Sequence, residues 1–346
     1  AAASRAAAGR DIRDRLGVTH VNGQYHLTDK PFLAEGADAI LALGSRVIKL
    51  YLFQPEKNYP FNTAWPAMAS PAEAARAAPM REVFARPFTT YILTVYAAGR
   101  PEHYWREGVT PDQVADETRQ FHDLALHLLT AYRGTGKTFV LQHWEGDWAA
   151  RGSFDPKAPL TPRAAAGMIA WLRARQAGVE KARAEAGEQG VHVYHAAEVN
   201  LVVQAMRDGR PGVADRVLPE ARCDLASYSA WDAGADARTL REALDFIARH
   251  QGGGGPFGDR AVYVGEFGLP ETDAGPEKVR ATVRTVIETA RDWGCPWIVY
   301  WQVYCNEARR RPVATNADVR GFWLLRPDGT RGAAWDVLAG LLTGPG

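Results

Sequence analysis

Seven short runs rich in β-branched and aromatic residues recur along this chain after residue 40, each about a helix length beyond the one before. That rhythm is expected of βα units laid side by side in a parallel sheet. The runs are 46–53 (RVIKLYLF), 89–97 (TTYILTVYA), 137–144 (KTFVLQHW), 191–198 (VHVYHAAE), 223–231 (CDLASYSAW), 261–268 (AVYVGEFG) and 296–304 (PWIVYWQVY). An eighth is expected within 17–28 (GVTHVNGQYHLT), ahead of the apolar segment 32–43. Eight alternating units close into a (β/α)8 barrel, and such barrels run beyond ~200 residues as one domain. The expectation is a single-domain (β/α)8 TIM barrel over residues 11–346, preceded by a flexible segment at 1–10 (AAASRAAAGR). With 46% of its 346 residues hydrophobic, the chain can bury one large core, which argues against disorder.

The segments between the runs carry helix signals. Thr110-Pro111-Asp112-Gln113 supplies an N-cap threonine, a proline at the first helical position and a glutamine at the third. Val279, Val283, Val286, Ile287 and Ala290 recur at helical spacing and give one apolar face to lay on a sheet. An open doubly wound sheet would need a Gly-rich turn directly after an early strand, and none is present. RGTGKT at 133–138 resembles the end of a phosphate-binding loop, but Ala131 stands where the first glycine is required and the segment precedes a strand. QGGGGPFG at 251–258 reads as a flexible connector on the bottom face.

Composition narrows the partners. Against 40 acidic residues stand 41 basic ones, a formal net charge of +1, so no nucleic acid is expected. Three scattered cysteines, Cys223, Cys295 and Cys305, make neither a disulfide framework nor a CxxC metal site. No apolar run approaches the ~18 residues of a membrane helix, so no membrane partner is expected. The opening without methionine fits removal of an export signal, which makes a secreted or periplasmic protein the expectation.

In a barrel enzyme the reactive groups sit at the carboxyl ends of the strands. Here the fourth strand runs into His143, Trp144, Glu145, Asp147 and Trp148, and the fifth carries His195, Glu198 and Asn200. The sixth ends on Tyr228 and Trp231, the seventh on Glu266, and the eighth on Trp301 and Gln302. Three glutamates with large aromatics beside them suit sugar chemistry. Cleaving a glycosidic bond needs one protonated carboxyl for the leaving oxygen and one ionised carboxylate for the anomeric carbon. Indole and phenol rings offer flat apolar surface to a pyranose, while amides and histidines grip hydroxyls. No cofactor is required. Two other readings stay open on these residues. His143 and His195 could hold a metal with Glu145 or Glu198 as third ligand, although their spacing is no recognised motif. A non-catalytic carbohydrate-binding barrel would keep the aromatics and need no facing acids.

VGEFG on the seventh strand, the tryptophan of VYWQVY on the eighth and the tail LLRPDGTRGAAWDVL at 324–338 resemble the retaining glycoside hydrolases of clan A, the cellulase-like (β/α)8 superfamily. The resemblance runs from about residue 46 to residue 338. It implies that Glu266 is the nucleophile and Glu145 the acid/base, with the two carboxyls roughly 5–5.5 Å apart, acting on a β-linked oligo- or polysaccharide. Members of that clan carry Asn-Glu at the fourth strand, whereas this chain has Trp144-Glu145-Gly146-Asp147. His143 or Asn200 would then replace the missing asparagine. The glycines around Glu266 are expected to let the backbone approach a ligand closely. Tyr228 is expected to hydrogen-bond the nucleophile, and Trp301 to serve as a sugar platform. Trp144, Trp148 and Trp231 are expected to line substrate subsites, Glu198 to hold a neighbour's charge or a substrate hydroxyl with the acid/base role as its alternative, and Asp147 to cap the following helix.

Overall fold

The structure, a computed structural model, describes residues 11–187, 189–234, 236–251 and 257–344. The segment 1–10 and the central glycines of the 251–258 connector lie outside the described residues. Eight parallel strands pair in chain order and close, the last upon the first. They are β1 (Leu16–His20), β2 (Val47–Tyr51), β3 (Thr90–Thr94), β4 (Thr138–Gln142), β5 (His192–Val199), β6 (Leu225–Ser229), β7 (Val262–Phe267) and β8 (Ile298–Tyr300). The expected (β/α)8 barrel is the observed fold. The first strand is shorter than the expected run and sits at its start, because Asn22 turns the chain into the left-handed region just after it. Most other runs overshoot at their carboxyl ends: their last aromatic and polar residues belong to the loops of the upper face, where pairing has ceased.

Successive residues of a strand face opposite ways, and here the inward positions form two layers of different chemistry. Val47, Ile92, Val140, Ala196 and Leu225 pack inside the barrel with Tyr263, Trp297 and Val299. Two residues further along the same strands stand Lys49, Thr94, Gln142, Glu198 and Ser227, all buried. The lower layer is an apolar plug; the upper one is a polar floor beneath the mouth of the barrel.

The longer helices are α1 (Phe32–Leu43), α2 (Pro111–Ala131), α4 (Pro162–Ala186), α5 (Ala237–His250), α6 (Pro276–Trp293) and α7 (Ala333–Thr343), with a short α3 (Gly146–Arg151) after β4. The start of α2 is the predicted one: the Thr110 hydroxyl accepts from the Gln113 N–H at 3.3 Å and the Gln113 side chain accepts from the Thr110 N–H at 2.8 Å. The predicted stripe of α6 is buried throughout. RGTGKT lies at the amino end of β4, away from the face that carries the strand ends, and Lys137 is spent on the backbone carbonyls of Arg86 and Phe88. All three cysteines are buried free thiols. No helix among the described residues is long and apolar enough to cross a membrane.

Between α2 and α4, behind β3 to β5, Arg175 is fully buried. Its guanidinium donates to Glu117 at 2.7 Å and to the Val95 carbonyl at 3.2 Å, and it lies 3.5 Å from the centre of the Trp171 ring. A buried charge survives only while paired, so truncating one partner is costly where removing both is not. Glu117→Leu should lower unfolding free energy by about 3–5 kcal/mol, and adding Arg175→Met should recover part of that loss; urea unfolding of the two variants checks both.

Candidate active site

Glu266 stands on β7, where a strict alternation would turn it outward: Tyr263 faces in, and so would Gly265. The pairing of β7 shifts register against both neighbours, between Tyr228 and Ser229 on one side and between Val264 and Phe267 on the other. The irregularity re-aims Glu266 into the barrel, as bulges beside reactive sites do. The glycines serve this turn rather than a ligand. A Cβ on Gly265 would lie 1.9 Å from the Ser227 hydroxyl, and one on Gly268 would lie 2.8 Å from the Trp301 carbonyl oxygen. The expectation that they admit a ligand is corrected accordingly: they admit β6 and β8.

Once inside, the Glu266 carboxylate is held at both oxygens. Lys49 of β2 donates to Oε1 at 2.8 Å; the Ser229 hydroxyl donates to Oε2 at 3.0 Å and the Trp231 indole reaches it at 3.4 Å. The ammonium of Lys49 also bonds the Gly265 carbonyl and stands 3.7 Å from Glu198. No solvent reaches the Lys49 side chain. Sequence reasoning missed this lysine, although its signal was plain: a cation in the middle of the apolar run RVIKLYLF, at a position sharing its face with Val47. Tyr51, two residues on, was missed for the same reason. Burial and then the charges of Glu266 and Glu198 push its hydroxyl well above the ordinary range.

Glu145 follows β4 in the left-handed region, φ 58° and ψ 53°, and heads α3. The next residue must be glycine, because a Cβ on Gly146 would lie 1.9 Å from the Glu198 carbonyl oxygen of β5. Asn200 supplies the amide lacking beside Glu145 in the sequence: its Nδ2 donates to Glu145 Oε2 at 3.4 Å. Burial, then the charges of Glu266 and Glu198, push the Glu145 carboxyl up to about 9. Such a group keeps its proton at neutral pH.

The other expected site residues divide. Trp231 is 39% exposed at the mouth, braced edge-on by Phe322. Trp144 is half-buried near Tyr51, and Trp148 lies beside the exposed Phe154. Trp301 is buried at the end of β8 and joined to Gln302 by a cis peptide. Glu198 is fully buried with both oxygens engaged, so it cannot meet a substrate directly. The Tyr228 hydroxyl donates to Asp232 at 2.6 Å and not to Glu266; β6 alternation aims it away from the barrel axis, and Ser229 takes the expected role. Asp147 does not cap its own helix. It is buried and accepts the N–H groups of Asn200 and Val213, both at 2.9 Å, tying α3 to the end of β5.

The metal reading fails on orientation. His143 points outward against Trp171, and its Nε2 accepts the Glu198 N–H at 2.9 Å. Burial pushes it down to about 3, a neutral ring whose lone pair is already used. His195 faces Gln176 of α4 at 3.2 Å. No group of three or more potential ligands that could hold a metal occurs among the described residues. Neither histidine is placed to bind a substrate hydroxyl.

No protein-family model and no curated protein sequence matches the chain. Among solved structures it is similar to a family 5 (subfamily 4) broad-specificity endoglucanase from Clostridium acetobutylicum, at 11% identity over 99% of both chains with a TM-score of 0.57. A family 5 lichenase from Caldicellulosiruptor sp. F32, complexed as a mutant with cellotetraose, matches at 10% identity over 99% of this chain and 95% of that one, with a TM-score of 0.59. A family 5 (subfamily 18) glycoside hydrolase from Bifidobacterium longum, complexed with Manβ1-4GlcNAc, matches at 16% identity over 95% of this chain and 77% of that one, also at 0.59. The shared feature is the barrel.

Two outcomes follow from the electrostatics alone. Folding raises the Glu145 carboxyl from its ordinary value near 4.5 to about 9, so the folded chain holds a proton that the unfolded chain releases. That contribution to stability is complete below about pH 4.5 and is lost as pH rises through about 9, at up to ~1.4 kcal/mol per pH unit. Urea unfolding across that window should show stability falling with pH, with a flatter slope in Glu145→Gln. Lys49→Met leaves Glu266 and Glu198 buried without their cation, and the same assay should register a loss of about 3–5 kcal/mol.

Proposed function

We propose that this protein is a retaining glycoside hydrolase acting on a β-linked oligo- or polysaccharide, with Glu266 as nucleophile and Glu145 as general acid/base. The observation that carries the reading is the division of labour between two carboxyls at one barrel mouth. Glu266 sits against a buried ammonium and two further donors, so that both its oxygens accept. Glu145 sits in a half-enclosed turn that favours the protonated form. Environments that separate two carboxyls in this way assign the base and the acid.

In the first step Glu266 attacks the anomeric carbon while Glu145 gives its proton to the departing glycosidic oxygen, leaving a covalent glycosyl-enzyme and the freed alcohol. In the second, ionised Glu145 takes a proton from water, whose oxygen attacks the anomeric carbon and releases Glu266. Glu145 is then protonated again. Lys49 holds Glu266 Oε1 at 2.8 Å, and the Asn200 amide reaches Glu145 Oε2 at 3.4 Å. The half-exposed Trp231, with its indole nitrogen on the nucleophile, offers a ring face beside the reacting sugar. The cellotetraose and Manβ1-4GlcNAc of the similar structures support a carbohydrate substrate. A non-catalytic sugar-binding barrel would gain nothing from burying a lysine to keep one of two carboxylates charged.

Incubation with a panel of 2-deoxy-2-fluoroglycosides bearing good leaving groups should add the mass of one glycosyl unit, located on Glu266 by peptide mapping. Glu266→Gln should take up no label and lose turnover by a factor on the order of 10⁴ or more. Absence of label with every sugar, together with full activity of Glu266→Gln on a polysaccharide panel, would sink the assignment.

A further inference from the structure

The proposed chemistry uses two carboxyls, yet the barrel holds a third that touches both halves of the site. Glu198 Oε1 accepts the backbone N–H of Glu145 at 2.8 Å, within the left-handed turn that presents the acid. Its Oε2 accepts from Gln142 Nε2 at 2.8 Å. That amide cannot turn over, because its Nε2 also donates to the His143 backbone carbonyl, which can only accept, at 3.0 Å, while its oxygen takes the Tyr263 hydroxyl at 2.5 Å. With N–H donors on both oxygens, Glu198 is set as an acceptor; burial and then the charge of Glu266 push its carboxyl up to about 8, and Lys49 with these two donors works against that rise. Among the described residues the cation paired with it is Lys49, 3.7 Å away and already bonded to Glu266.

We propose that Glu198 is a positioning residue for this reaction, which clamps the turn of Glu145 through its N–H and, by sharing Lys49 with Glu266, leaves Glu145 as the carboxyl that carries the proton. The inference rests on the glycosidase reading for its kinetic consequence but not for the proton placement. Several groups face Glu198. Lys49 and Tyr51 reach it from β2, and Tyr96 from the end of β3. Glu145 stands above it, and Tyr263 and Glu266 face it from β7. His143 meets only its backbone. Of these, Lys49 alone is cationic, so a negative charge on Glu198 falls chiefly on Glu145 as a reason to keep its proton.

The test pairs Glu198→Gln, which keeps shape and removes charge, with Glu198→Asp, which keeps charge and withdraws it from the turn. Two readouts are taken: the alkaline limb of kcat/KM on an aryl glycoside, and the carboxyl carbon titration of Glu145 by NMR in glutamate-labelled protein, assigned with Glu145→Gln. In Glu198→Gln both midpoints should fall by ~1 pH unit or more. In Glu198→Asp they should stay within a few tenths of a unit while kcat falls about tenfold or more, as a slackened turn requires. Midpoints in Glu198→Gln equal to those of the parent would overturn the proposal. Should Glu198→Gln not fold, Glu198→Asp decides alone, a moved midpoint overturning it. A shifted carbon titration in a protein that turns over no glycoside would retain the proton placement and reject the glycosidase reading.

Discussion

The ammonium of Lys49 is the interaction on which the rest of this barrel's upper half depends. It is the cation that faces Glu266 and Glu198 together, it is closed to water, and it bonds the backbone of β7 at the irregularity that turns Glu266 inward. Without it, two carboxylates would face each other in a region where charges are weakly screened. With it, the negative charge of the pair is partly offset, and what remains is felt by the third carboxyl, Glu145. The acidity of Glu145 is set first by its own burial and then by Glu266 and Glu198, with Lys49 of β2 opposing them.

Placing such a cluster in a core is expensive, and the fold meets the cost by layering. The apolar plug of Val47, Ile92, Val140, Ala196 and Leu225 closes the barrel from below. Each of those strands then has one more inward position to spend on a polar residue. Behind β4 and β5 a second buried pair, Arg175 with Glu117, stacks on aromatic rings and backs the outward-facing His143. His143 in turn accepts the N–H of Glu198. The residues a first reading assigns to substrate or metal are here the outer supports of the site: they hold the strand that holds the carboxylate.

The sequence made the barrel legible because most strands lie in short runs rich in β-branched and aromatic residues and helices between them carry their own start signals, Thr110 and its capping box above all. The glutamates were legible as strand ends. What escaped was the direction in which residues point. Period two predicts that Glu266 faces outward, and only a register shift, which leaves no mark in composition beyond Gly265, reverses it. His143 and His195 were read as site residues because they close neighbouring strands, but alternation sends both toward α4. Tyr228 and Ser229 are adjacent, and assigning the nucleophile's hydroxyl partner to the larger of the two was a parity error of one residue. Lys49 was the reverse case: its parity and its unlikely place in an apolar run both marked it, and strand propensity hid it.

The two proposed reacting groups are anchored in different ways, and the difference matches what each must do. Glu266 is fixed at both oxygens from three strands or loops, so it has one position from which to attack. Glu145 is fixed mainly through its backbone: a left-handed residue, a glycine pressed against β5 and an N–H given to Glu198, with one long amide contact to the carboxyl itself. A nucleophile gains from rigidity, since misplacement by a fraction of an ångström is costly. An acid/base must serve two oxygens in turn, the leaving group's and then water's, and a carboxyl held by its main chain and lightly by its side chain can follow both. Rigid backbone and free carboxyl are compatible because the left-handed turn, Gly146 against β5 and the N–H bond to Glu198 together hold the main chain.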